Sequence, residues 1–274
     1  KDVSGLTFGT NGFYLDFEAS GNLGNDANGG TDLTESGLAA TDQMTDTPTN
    51  NFCTCNPLLN TGGGITFQEG NCKIKSAADN QWTIGTQHSQ QGYFEVKVGT
   101  APNASNGTGL RIGIVSLDDH VDPDGTGATF SSSSDTYHFD NPTAQGFRKF
   151  DSGTTTNIGG TRAINDILSV AWSSVAPNGI WFAVNGVWFN DQEDGPDSTT
   201  LDTSNPDFSI NTGKFYLPIF FSSLTGLDEA DINFGNPSNT ISSSNTDADG
   251  YGNFEYAVPS GFFALNTKNL AEYG

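Results

Sequence analysis

Asn245-Thr246-Asp247-Ala248-Asp249-Gly250 is the stretch of this chain best suited to holding a cation. Side-chain oxygens at alternate positions converge on one ion, and the glycine permits the sharp turn. The far end departs from the calcium-loop pattern. Glu255 stands one place short of the usual bidentate acid, Tyr256 fills that place, and no helical pattern flanks the loop. Two readings follow: a Ca2+ site built from Asn245, Asp247, Asp249 and Glu255, or a solvated Asp-Asn-Gly turn. A second acidic cluster, Asp118, Asp119, Asp122 and Asp124, follows directly on a predicted strand, so it lies in a loop. It is a candidate ligand-contacting or cation-binding loop, against the plainer reading of exposed, solvated acids. Asp191, Glu193, Asp194 and Asp197 form a third cluster with the same two readings.

Catalytic constellations are missing from the sequence. Concanavalin-like glycosidases alternate two or three carboxylates along one strand so that the acids face one cleft. Here Glu95 stands alone between Phe94 and Val96. His88, His120 and His138 lie in separate segments, and His88 next to Ser89 is no nucleophile pair, since strand neighbours face opposite ways. No triad, P-loop or dinucleotide fingerprint appears, so the chain is expected not to be an enzyme. Aromatic side chains offer a different chemistry, stacking on sugars. Trp82, Tyr93, Tyr137, Trp181 and Trp188 are candidates by type. Core packing is expected for most of them, and Trp82 and Tyr137, near predicted strand ends, are expected to be exposed. Two sequons, at Asn103 and Asn106, read as a polar loop.

Cys53, Cys55 and Cys72 are an odd count, so at least one thiol is free or intermolecular. Cys53 and Cys55 share a strand face and cannot easily bridge each other, while Cys72, in a neighbouring strand candidate, could bridge to one of them. All three are expected to be small buried core residues. Three Cys with no nearby His fall one ligand short of a zinc site.

Net charge is −22, from 10 Lys+Arg against 32 Asp+Glu. Phosphate backbones and acidic membrane surfaces would be repelled, so neither nucleic acid nor membrane is an expected partner. No apolar run approaches the ~20 residues of a membrane helix. Lys1-Asp2-Val3-Ser4 carries no initiator Met and no signal-peptide pattern. The chain is therefore expected to be a processed product or part of a longer one.

The elements that must position these residues are strands. The chain has 34 Gly and few charges, 15%, and no long stretch has helical periodicity. Gly179-Ile180-Trp181-Phe182-Ala183-Val184-Asn185-Gly186-Val187-Trp188 is two alternating runs about an Asn-Gly pair, a type I′ hairpin. Alternation directs Trp181 away from Ile180 and Phe182. Further strands are predicted at 65–69, 72–75, 92–98, 110–115, 136–139, 146–150, 166–172, 215–221 and 230–235. Pro218 in the 215–221 run predicts an edge or a bulge. Such spacing marks an all-β antiparallel sandwich. Residues 1–50 differ: one strand over 12–17 precedes polar, Gly- and Asn-rich sequence. They read as the end of an upstream β-domain or a linker arm, with 51–274 as the sandwich.

Several of these stretches together carry a resemblance. Gly92-Tyr93-Phe94-Glu95-Val96, Ile112-Gly113-Ile114, the run from Asp166 through Val187 and Asp231-Ile232-Asn233-Phe234-Gly235 resemble the strand motifs of SPRY domains. Pro259-Ser260-Gly261-Phe262-Phe263-Ala264-Leu265-Asn266-Thr267-Lys268-Asn269-Leu270 resembles the ending of SPRY-containing structural proteins of tailed bacteriophages, many of them marine. Residues 9–17 and 40–52 resemble the same group, where they link a concanavalin-like jelly roll to the SPRY domain. Cys55, Cys72 and the acidic insertion 191–211 depart from the pattern. The resemblance implies a SPRY-type sandwich and a non-enzymatic protein on a virion surface, in a fibre, tail or capsid. Its loops would bind a host surface glycan or protein, with Ca2+ shaping one loop. The alternatives are a decoration or cement protein that binds only other virion subunits, and a glycan depolymerase. A homo-oligomer is expected.

Overall fold

The computed structural model describes residues 3, 5–43, 46, 47, 49–60, 63–78, 81–99, 110–118, 135–140, 147–151, 154–222 and 229–273. The chain divides into two compact units, Lys1–Thr45 and Asp46–Gly274.

The larger unit is an antiparallel β-sandwich. Its strands are β1 (Cys55–Asn60), β2 (Ile65–Gln68), β3 (Lys73–Ser76), β4 (Gln81–Gly85), β5 (Gln91–Val98), β6 (Leu110–Ser116) and β7 (Thr136–Asp140). Then follow β8 (Phe147–Asp151), β9 (Thr154–Gly159), β10 (Ile167–Ser173), β11 (Gly179–Val184), β12 (Val187–Trp188), β13 (Tyr216–Ser222), β14 (Glu229–Asn233) and the helix α1 (Thr267–Tyr273). Among the described residues one sheet runs β1-β4-β13-β6-β7-β8-β9 and the other β12-β11-β10-β5-β14-β3-β2. The predicted hairpin forms: Asn185 and Gly186 take φ of 51° and 74°, and Val184 pairs with Val187 across the turn.

β13 lies inside its sheet, so its proline needs an interruption in the ladder. Tyr216 N–H donates to Ser89 O at 3.0 Å. Two residues on, Pro218 has no N–H to send to that side. Pairing with β4 resumes only at Ile219↔Ile84, so residues 85–88 stand against Leu217 and Pro218. The proline sits at a bulge.

Alternation builds three apolar layers, one between the sheets and one on the outer face of each. Phe94, Val96, Ile112, Phe139, Val170, Phe182, Phe220 and Ile232 fill the space between the sheets. The rings meet closely there, Phe139 with Phe182 at 4.4 Å and Phe94 with Phe220 at 5.6 Å between centroids. The opposite-facing residues of the second sheet, Tyr93, Ala171, Trp181, Ala183 and Trp188, form another layer with Phe254, Phe262 and Ala264 from the C-terminal segment. Trp181 thus points away from Ile180 and Phe182, which join the inter-sheet core. The three cysteines are free thiols and fully buried.

Unit 1 forms no strand among its described residues; the strand expected over 12–17 is absent. A carboxylate takes the place of a ladder. Asp26, buried, accepts the N–H groups of Tyr14 (2.9 Å), Asn28 (3.1 Å) and Gly30 (3.0 Å). Phe13 and Phe17, which by pattern would share a strand's apolar face with Leu15, are exposed. A lone extended segment has no partner strand to complete its hydrogen bonds.

Candidate binding site at the C-terminal turn and helix

The site is built by the last residues of the chain returning to the sandwich. Tyr93 N–H donates to Phe263 O (2.9 Å) and Cys53 N–H to Leu265 O (2.8 Å). This seats Phe262 and Ala264 on the Trp181 layer, with Phe262 and Trp181 edge-to-face at 5.4 Å. Asn266 then caps α1: its Oδ1 accepts the N–H groups of Lys268 and Asn269, both at 3.0 Å.

Asp247 joins this end to the preceding turn. Its Oδ1 accepts from the Asp249 N–H (3.1 Å) and the Tyr251 N–H (2.8 Å). Its Oδ2 accepts from the Ala264 N–H (3.0 Å) and from Asn269 Nδ2 (2.7 Å). The carboxylate is 5% exposed and saturated by donors. That donor set does not fit a cation, because a metal would have to displace N–H groups already bonded to both carboxylate oxygens. The other residues of the expected Ca2+ loop are also turned elsewhere. Asn245 Nδ2 donates to Glu255 O (3.0 Å), and Glu255 accepts from the Ser242 N–H (2.7 Å) and the hydroxyls of Ser242 and Ser243. The Ser242 hydroxyl is the main reason the Glu255 carboxyl titrates below its ordinary range. Among the described residues no three His, Cys, Asp or Glu side chains converge as metal ligands. Of the expected Ca2+ loop, the turn geometry is present, and the side-chain oxygens of Asp247 and Glu255 accept hydrogen bonds from the protein itself.

Asp249 escapes this hub and faces a cleft of about 470 Å3 with Tyr251, Lys268, Asn269, Ala271, Glu272 and Tyr273. The Tyr273 ring stacks on Phe263 at 3.8 Å and 11°. The hydroxyl of Tyr273 bonds the Asp249 carboxylate, which raises the phenol pKa. Lys268 Nζ lies 6.0 Å from the centre of the Tyr251 ring. Asn269, 4% exposed, spends both Nδ2 protons on Asp247 and Ala264 O (2.8 Å). The side-chain atom it has left is Oδ1, an acceptor.

Glu95 is a second hub. Alternation places it on the face of Tyr93, away from Phe94 and Val96. Its carboxylate accepts from the Tyr93 hydroxyl (2.9 Å), the Glu255 N–H (2.9 Å), the Tyr256 N–H (2.8 Å) and Asn233 Nδ2 (3.4 Å). Burial raises its pKa, and the backbone donors oppose that rise. Glu95, 2% exposed, therefore ties the backbone of residues 255 and 256 to β5.

The other expected site residues are dispersed. Trp82 and Tyr137, expected to be exposed, are 2% and 4% exposed. Both sheet faces are covered, so a position near a strand end does not imply solvent. Trp82 packs with Ile84, Leu217 and Phe221. Tyr137 packs between Phe208 and Tyr216, and burial pushes its pKa up to about 12. Asp118 is exposed and pairs with Lys214 at 3.3 Å. Asp119, Asp122 and Asp124 lie outside the described residues, as do the Asn103 and Asn106 sequons. In the third cluster, Asp191 pairs with the buried Lys149, whose Nζ also donates to Asp207 O at 2.9 Å. Asp207 accepts the Phe182 N–H (2.7 Å) and the Asp191 N–H (3.0 Å), and burial raises its pKa to about 7.

No family model matches the chain, and no curated protein matches it. Solved structures similar to it include stonustoxin, at 13% identity and a TM-score of 0.42, covering 66% of this chain and 27% of that one. The SPRY domain of human HERC1 is similar at 13% identity and a TM-score of 0.43, covering 65% and 96%. The PSpry domain of TRIM65 is similar at 10% identity and a TM-score of 0.46, covering 66% and 89%. The chain thus spans about a quarter of the stonustoxin chain.

Proposed function

We propose that this chain is a non-enzymatic surface-binding module of a bacteriophage virion, attaching the particle to a host surface glycan or protein. The phage assignment rests on the resemblance of residues 259–270, 9–17 and 40–52. One observation carries the binding role: the cleft between Asp249, Tyr251 and α1. It brings two tyrosines together with the polar groups of Asp249, Glu272, Asn269 and Lys268 around one cleft. It pairs no nucleophile with a base, and the buried acids Glu95 and Asp247 are engaged by donors. The protein works from the particle's exterior, as a homo-oligomer alongside other virion proteins, and contacts neither nucleic acid nor membrane.

A decoration role within the virion is the second reading. Leu58, 91% exposed on the sheet-edge strand β1, favours it. An exposed leucine on an edge strand suits a subunit contact. Adsorption of the intact chain to bacterial envelope fractions separates the two. Attachment predicts saturable adsorption that soluble envelope polysaccharide or protein competes away. Binding confined to virion subunits would replace it with the decoration role.

A further inference from the structure

We infer that the cleft formed by Asp249, Tyr251, Asn269, Glu272, Tyr273 and Lys268 binds an uncharged saccharide, with the two tyrosines as stacking faces. This rests on the surface-binding reading and names the ligand class of that site. The volume, about 470 Å3, lies within the range of small-ligand pockets, roughly 300–1,000 Å3. A sugar ring presents C–H faces that pack on aromatic π-surfaces, and a rim of hydroxyls that both donate and accept. The cleft offers the complement. Among its lining residues Asp249 and Glu272 carry acceptors, Lys268 carries donors, and Asn269 keeps its amide oxygen unspent by its two Nδ2 bonds.

Charge selects among sugars. Two carboxylates face one ammonium, in a chain of net charge −22, so an anionic sugar is repelled. A cationic ligand is disfavoured for a different reason. The chain's own Lys268 Nζ lies 6.0 Å from the centre of the Tyr251 ring, so a ligand ammonium placed there would meet a like charge. The geometry is also fixed in advance. Tyr273 is stacked on Phe263, and Asn269 is clamped by Asp247 and Ala264 O. Little side-chain entropy is left to lose on binding.

Titration of the intact chain with methyl glycosides of glucose, galactose, mannose and N-acetylglucosamine tests this, with sialyllactose and choline as charged comparisons. The expected result is saturable binding of at least one uncharged glycoside, stronger than either charged probe. Tyr251→Ala should weaken it at least tenfold and Tyr251→Phe by less than threefold. Lys268→Ala, an exposed change, should weaken it while leaving the urea midpoint unchanged. No binding by any uncharged glycoside, tighter binding of sialyllactose or choline, or full binding by Tyr251→Ala and Lys268→Ala would each overturn the inference. If the chain adsorbs to envelopes yet binds no glycoside, only this ligand class fails. If it binds a glycoside at the cleft yet adsorbs to no envelope, the saccharide site stands and the surface role fails.

Discussion

Asp247 and Asp207 are two buried carboxylates with opposite consequences. Asp247 receives four N–H donors. Asp247→Ala leaves backbone donors buried and unpaired, which should cost about 3 kcal/mol in urea unfolding. Millimolar CaCl2 or EDTA should leave the Tm unchanged, because no ligand oxygen is free at Asp247; a Tm rise with calcium would contradict the hub. Asp207 is held by two N–H donors and lies beside Lys149, yet burial dominates and lifts its pKa to about 7. A folded pKa above the unfolded value, about 3.9, means the folded state binds the proton more tightly. That stabilisation is complete below the unfolded pKa and is lost as pH rises through about 7. Urea midpoints should therefore fall between pH 5 and pH 8, and Asp207→Asn should flatten that slope. A slope unchanged in Asp207→Asn would place the effect elsewhere.

At the scale of elements, the β11–β12 turn is the most demanding. Gly186 has φ of 74°, and a Cβ there would lie 2.4 Å from the Tyr256 ring. Gly186→Ala should cost roughly 2 kcal/mol from the left-handed backbone and the ring displacement together. A loss below about 0.5 kcal/mol would mean that Tyr256 moves freely. Strands with clean alternation, such as β5 and β10, were legible because a period of two fixes which side chains meet. β1 and β9 were not: β1 holds Pro57 and a run of exposed residues, and β9 is a threonine-rich edge. α1 is seven residues, too short for periodicity; capping by Asn266 and contacts to Asp247 sustain it rather than propensity. The candidate site was half legible. The oxygens of 245–250 stood out, but two of the four donors that engage Asp247 come from Ala264 and Asn269, 17 and 22 residues away. Sequence spacing carries no trace of that meeting. Tyr251 and Tyr273 were missed because one sits in a turn and the other on an unrecognised helix.

For the molecule as a whole, the −22 charge sets the background. Self-repulsion destabilises the compact state and is screened by salt. Raising NaCl from 10 mM to about 500 mM, which shortens the screening length several-fold, should raise the Tm; a fall would point to ion pairs such as Lys73–Glu229 (2.7 Å) outweighing repulsion. The same charge is repulsive toward phosphate groups. The central claim is binding without turnover at the C-terminal cleft. It is tested most directly by incubating the intact chain with bacterial surface polysaccharide while following adsorption and reducing-end release together. The account predicts saturable adsorption, abolished in the Tyr251→Ala/Tyr273→Ala double variant, with no new reducing ends. Release of reducing ends, or adsorption that the double variant keeps in full, would contradict it.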